Sequence, residues 1–163
     1  MEIRDLYTMD RQKTGITNIK GDPLKEGEYI IIVHVWITNH NNEILIQKRQ
    51  PWKKWYPNLW DCSVVGGALS GEDTVDTAIR EAKEELSIEL EAEDINILFT
   101  HKTKHCFYDI CLVQKDIDIK KLNLQHEEVA DIKWATKDEI VSMIKGDKFV
   151  KTDYLEKVFD AIE

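Results

Sequence analysis

The feature that most restricts the fold is residues 66–88, GGALSGEDTVDTAIREAKEELSI, which read as a glycine-containing loop followed by one amphipathic helix. At about 3.6 residues per turn, Val75, Ala78, Ile79, Ala82 and Leu86 form one apolar stripe that must face a core. The helix is expected over about Asp73–Ser87. Helical geometry places Glu81, Glu84 and Glu85 within an arc of roughly 100° on the far side. Like charges at that spacing repel, and Arg80, four residues before Glu84, is the basic neighbour bordering them. Either water and salt screen the carboxylates or something strongly positive sits among them. Three convergent carboxylates suit a hard, oxygen-preferring cation such as Mg²⁺, and the preceding glycines allow close backbone approach to a ligand.

Around this helix the chain alternates strand and turn signals. EIRDLYT and GITNI read as two short strands joined by a turn near Arg11–Thr14. YIIIVHVWITN is rich in β-branched residues and reads as a buried strand. HNNE is turn chemistry, and Ile44–Arg49 returns as the hairpin partner. PWKKWYPN is a loop before a short strand over Trp60–Val65. Further strands are expected near Ile95–Lys102, Cys106–Gln114 and Ala130–Ala135. Thr136 with Glu139 forms a capping-box signature opening a helix toward Ile144, and a last helix covers about Thr152–Ile162. This order predicts an α/β or α+β sandwich, not a regular βαβ alternation.

The 163 residues fit one domain, residues 1–163, with a sizeable core. A formal net charge of −9 argues against a nucleic-acid polymer as partner, because no excess of Lys and Arg is available to displace phosphate counterions. The start, MEIRDLYTMD, lacks the apolar core of a signal peptide. The longest apolar run, near Tyr29–Ile37, is too short to span a bilayer. Cys62, Cys106 and Cys111 have no CxxC spacing, so no disulfide framework or structural zinc site is expected, and a cytoplasmic location fits. Cys106 and Cys111 read as small core residues. His101 and His105 straddle a strand–turn boundary, where their spacing does not pair two rings as metal ligands. Trp36, Trp60 and Trp134 read as core. Trp52, Trp55 and Tyr56 read as packing or loop-anchoring residues, with stacking on an organic group as the alternative.

The 66–88 stretch resembles the Nudix box of the MutT-like Nudix hydrolases: Gly66, five residues, Glu72, seven residues, then Arg80, Glu81, Ala82, Lys83, Glu84, Glu85, Leu86, Ser87, Ile88. Ser87 departs from the pattern, which has glycine there. The resemblance implies a Nudix α/β/α sandwich with a mixed sheet, and hydrolysis of a diphosphate in a small molecule of the nucleoside diphosphate-X type. It implies Mg²⁺, with Mn²⁺ as a substitute, held by Glu81, Glu84, Glu85 and the backbone carbonyl of Val65. Glu81 is also the candidate base, Arg80 orients the glutamates and Glu72 braces the loop. Gly66 and Gly67 lie against the substrate. Glu128, six residues before Trp134, matches a further metal-binding or acid/base glutamate, with adjacent Glu127 the alternative. Substrate identity stays open, as does a homodimer.

Arg49, Lys53, Trp60 and the SVVG that follows are similar to the branch of this superfamily that contains isopentenyl diphosphate isomerase. That similarity makes Arg49 and Lys53 candidates for holding the diphosphate. The isomerase chemistry does not carry over. Its cysteine falls at Val65, Cys62 stands three positions too early, and the metal-binding histidines fall near Ile30 and at Gly67. A hydrolase is therefore expected, with isomerisation and a catalytically silent Nudix ligand-binding module as the alternatives.

Overall fold

The computed structural model describes residues 1–162. In chain order its elements are β1 (Ile3–Tyr7), β2 (Lys13–Ile19), β3 (Ile30–Thr38), β4 (Ile44–Arg49), β5 (Trp60–Asp61), β6 (Val64–Gly67), α1 (Thr74–Leu86), β7 (Asn96–Lys102), β8 (Cys106–Gln114), β9 (Val129–Ala135), α2 (Lys137–Lys145) and α3 (Leu155–Ala161). Two short 3₁₀ turns, Ala92–Asp94 and Ile119–Lys121, flank β7 and β8.

Strand β3 is the centre. Ile31, Val33, Val35 and Ile37 enter one core and Trp36 enters the other. A strand buried on both faces carries apolar residues nearly without interruption, which is the origin of the run at residues 29–37. It runs parallel to β8 and antiparallel to β6, so the sheet is mixed. Helix α1 covers one face through Ala78, Ala82 and Leu86. Ile140 of α2 and Val158 of α3 cover the other. This is the α/β/α sandwich expected from the sequence.

Strands β3 and β4 pair only at Ile37–Leu45 and Thr38–Ile44, then splay, and β6 takes the vacated place beside β3. The expected single strand over Trp60–Val65 is therefore two. Asp61 pairs with Gln47 of β4 and Val64 with Val35 of β3, with Cys62 and Ser63 between them. Ser63 fills the fork: its Oγ accepts from Ile37 N at 2.8 Å and donates to Leu45 O at 2.5 Å. Those backbone groups would otherwise be buried without partners.

Two further expectations change. The last helix starts at Leu155, because residues 153–154 form a turn that seats the Tyr154 ring in the core. Trp52, Trp55 and Tyr56 are not core residues but stand 57%, 65% and 53% exposed. Positive φ at Tyr56 and Asn58 turns their loop outward. Trp60 and Trp134 are only partly buried, and Trp36 is fully so.

Hairpin β1–β2 forms a separate two-stranded sheet. Its turn sends Arg11 across to Asp109 of β8, with contacts of 2.7 and 2.5 Å to the two carboxylate oxygens. Asp109 also accepts from Thr100 at 2.7 Å and from Thr74 at the start of α1. Burial alone would raise the Asp109 pKa, but these hydrogen bonds and the Arg11 charge outweigh it, so the carboxyl sits below its ordinary value.

Helix α1 is capped at both ends. Asp73 and Asp76 form a reciprocal capping box. Ser87 ends the helix in the left-handed region at φ 56° and ψ 29°, and its N–H and that of Ile88 reach Lys83 O and Ala82 O. The strain that the missing glycine would avoid is therefore present, but the hydroxyl has a task. Ser87 Oγ accepts from Asn123 N at 2.7 Å. Glycine here relieves about 1 kcal/mol of backbone strain and loses a hydrogen bond worth about 1 kcal/mol. Ser87→Gly is thus expected to leave stability within about 1 kcal/mol of wild type, whereas Ser87→Ala loses the bond and keeps the strain. Denaturant unfolding should rank alanine below both serine and glycine; a clear gain for alanine would show that the hydroxyl does not hold Asn123.

Candidate active site

Helix α1 lies over β6 with its acidic residues toward the strand, and Gly66 sets the distance. A methyl group built on Gly66 would overlap Cγ, Cδ and Oε1 of Glu81, so the Glu81 carboxylate occupies space that any other residue at 66 would fill. The three glutamates do not share one solvated face. Glu81 and Glu85 are 7% and 4% exposed, and only Glu84 is open to solvent. The helical arc was read correctly from spacing, but β6 and β4 extend beneath its edge and roof over two of the three.

Arg80 organises the cluster. Its guanidinium takes Glu72 in a fork at 2.6 and 3.0 Å, Glu81 at 2.9 Å, Glu84 at 3.2 Å and the carbonyl of Gly67 at 3.0 Å. Glu72 accepts from Leu69 N at 2.8 Å, so one arginine ties loop, strand and helix together. These contacts raise the pKa of Arg80 and keep it charged.

Glu85 is held differently. Gln47 of β4 donates Nε2–H to Glu85 Oε2 at 3.0 Å and to Ser63 O at 2.9 Å. The second oxygen, Glu85 Oε1, is buried without a hydrogen-bond partner. Burial, followed by the neighbouring charge of Glu81, pushes the Glu85 carboxyl well above its ordinary range. Burial raises Glu81 as well, opposed by Arg80. An orphaned buried carboxylate oxygen is costly unless something positive reaches it. These hard oxygen donors fit a divalent cation. Among the described residues no three Asp, Glu, His or Cys side chains already converge at metal-binding distance, since Arg80 draws Glu81 and Glu84 to itself.

Two loops close the mouth. Gln50 Nε2 donates to His126 O and Val129 O at 2.8 and 3.2 Å, and Trp52 Nε1 donates to Glu127 O at 3.0 Å. Lys53 pairs with Glu128, so a residue expected to bind substrate and one expected to act as acid or base are each other's partner. The charge of Glu128 is felt at Glu85, while the Glu127 side chain lies in solvent. Arg49 Nε donates to Trp55 O at 2.8 Å.

Val65 and Arg49 also line a cavity of about 790 Å³ on the sheet face opposite α1. Ile30, Ile32, His34, Tyr108 and Tyr154 form much of its wall, and Asp61 and Thr152 add polar groups. Gln47, Asp61 and Tyr154 were not singled out from the sequence; each lies outside the 66–88 pattern, on an element joined to the site only in the folded chain.

The NUDIX domain family matches residues 28–157. An uncharacterised Nudix hydrolase of Listeria monocytogenes is 38% identical over 160 residues, which cover 98% of this chain and 95% of that one. The chain belongs to the Nudix hydrolase family. An isopentenyl-diphosphate Delta-isomerase of Salmonella arizonae is similar at 25% identity over 118 residues, 68% of this chain and 64% of that one. The fold matches a crystal structure of a Deinococcus radiodurans protein with a TM-score of 0.80 at 23% identity, covering 99% of this chain and 100% of that one. This Nudix protein is a pyrophosphohydrolase. Enzymes of the family work with a divalent metal.

A substitution at Gly66 tests the geometry without touching a carboxylate. Gly66→Ala is expected to push the buried Glu81 side chain off the strand at some cost in stability, because the added methyl would meet its Cγ as well as its carboxylate. Displacing Glu81 by about 1 Å should lower diphosphate hydrolysis about 10²-fold. Circular dichroism and phosphate release measured side by side check this; full activity would mean that Glu81 need not lie where it does.

Proposed function

We propose that this Nudix hydrolase cleaves the diphosphate of a small molecule of the nucleoside diphosphate-X type in a Mg²⁺-dependent reaction. The observation that carries the reading is the pair of buried carboxylates, Glu81 packed against Gly66 and Glu85 with one oxygen left unpartnered. Glu81, Glu84 and Glu85 would hold the cation, with the carbonyl of Val65 a further donor. A bound divalent cation supplies positive charge that offsets the charge developing on phosphoryl oxygens.

The chain's own residues do the rest. Arg80 aims Glu81 and Glu84 and fastens the Gly67 carbonyl. Glu81, whose pKa burial raises, takes the proton of the attacking water as a general base. Water adds to phosphorus, the P–O–P bridge breaks, and the bridging oxygen leaves with the electron pair. Arg49 and Lys53 face the diphosphate, and Lys53 exchanges its partner Glu128 for a phosphate oxygen. Glu128 is thereby free to act beside Glu85.

The isomerase reading has less support. Val65, at the position of the isomerase thiol, carries no titratable proton. Cys62 is fully buried in the core beneath α2 and α3, its thiol pushed up by burial. A phosphate-release screen over diphosphate compounds tests the proposal: release should need Mg²⁺ and stop on chelation. Glu85→Gln should lose at least about 10²-fold in rate and lose any Mg²⁺-induced rise in melting temperature, while its metal-free form is no less stable at pH 8 because a buried charge has gone. With isopentenyl diphosphate, NMR should show no dimethylallyl diphosphate. Undiminished turnover in Glu85→Gln, or the rearranged alkene, would overturn the assignment.

A further inference from the structure

The cavity on the sheet face opposite α1, which Val65 and Arg49 share with the candidate site, has hydrogen-bonding chemistry of its own. Trp36 Nε1–H lies 3.3 Å from the Tyr154 hydroxyl oxygen, which lies 2.6 Å from His34 Nδ1. An indole N–H can only donate, so Tyr154 accepts from Trp36, and the arrangement that also pairs the buried Tyr154 hydroxyl proton has it donated to His34 Nδ1. The neutral imidazole then carries its hydrogen on Nε2. His34 lines the cavity and therefore brings it a donor.

Asp61 contributes the opposite character. It is 6% exposed and lines the same cavity. Its Oδ1 accepts the backbone N–H of Cys62 at 2.8 Å, and Arg49 is the charged group that acts on it. Thr152 Oγ1, also in this wall, is buried with no partner. Such groups stand ready for a ligand that completes them. A hydrocarbon chain would leave all of them unpaired, and a carbonyl placed against Asp61 would set acceptor against acceptor. The surrounding Tyr108, Trp55 and Tyr56 offer flat faces to a ring.

We propose that the cavity selects a substrate whose organic group is an amino-bearing heteroaromatic base, with Asp61 accepting from the exocyclic amino group and His34 Nε2–H donating to a ring acceptor. This deepens the diphosphate-hydrolase reading and rests on it. Asp61 and His34 are then specificity-determining residues, remote from the reacting phosphorus.

The test uses matched amino and keto bases on the same diphosphate group: adenosine against inosine, and cytidine against uridine. Wild type should favour the amino member of at least one pair by about tenfold or more in kcat/KM. Asp61→Asn keeps an oxygen for Cys62 N–H but adds a donor, so that ratio should fall to within about twofold of one or invert. Equal kcat/KM within both pairs for wild type, or an Asp61→Asn variant that lowers both members alike, overturns the proposal. Calorimetry with the corresponding nucleoside monophosphates reads the cavity without turnover. If no diphosphate is hydrolysed, the hydrolase reading falls on its own. The monophosphates then decide: an amino preference lost in Asp61→Asn upholds the cavity assignment, and none in wild type ends it.

Discussion

One guanidinium holds the site together. Arg80 projects from α1 and bonds outward to Glu72, Glu81, Glu84 and the Gly67 carbonyl, so one side chain ties helix, loop and strand to each other. Lysine could not substitute, since a point charge lacks the planar fork that grips Glu72 through two nitrogens. The same cation leaves Glu85 untouched. Of the two buried glutamates, Glu81 is paired with the charged Arg80, while Glu85 is bonded only through Gln47 and keeps its second oxygen unpartnered. That asymmetry gives the site its appetite for a further positive charge.

Much of this was legible in the sequence, and the limits have physical causes. The box helix, its caps and its left-handed end at Ser87 follow from local rules, because capping and periodicity act within a few residues. The parallel pairing of β3 with β8 and the fork at Ser63 do not, since they depend on which strands meet across long chain separations. The burial of Glu81 and Glu85 was missed for a related reason. A helical wheel gives directions around one axis, and it contains nothing about the β-strands that lie beyond the apolar stripe. For Trp52, Trp55 and Tyr56 the core-packing expectation fails because the left-handed backbone at Tyr56 and Asn58 carries the loop out, while the loop-anchoring one holds for Trp52, which donates to Glu127 O.

The candidate residues differ in what surrounds them. Glu81, Glu84, Arg80 and Gly66 come together through one helix and one strand, and their spacing in sequence already encoded that meeting. Arg49, Lys53 and Glu128 meet because Gln50 and Trp52 fasten their loop to the carbonyls of His126, Glu127 and Val129. Nothing local announces that second assembly. Its consequence is chemical: Lys53 and Glu128 neutralise each other, so any other anion would reach Lys53 only by displacing a carboxylate already in place.

The N-terminal hairpin extends the same logic beyond residues 28–157, where the family match lies. Arg11 crosses to Asp109, and Asp109 also takes Thr74 at the first turn of α1 and Thr100 of β7. Asp5 of β1 accepts from Ser70 Oγ and Gly71 N in the loop that leads into the helix. The buried Asp109 thus joins the hairpin, strands β7 and β8 and the helix start, while the half-buried Asp5 holds the loop. Because the Asp109 pKa is lowered in the fold, its contribution is present above the ordinary carboxylate range and is lost as pH falls through the depressed value. The hairpin is therefore coupled to the orientation of α1, and through α1 to the carboxylates about two to three turns along it.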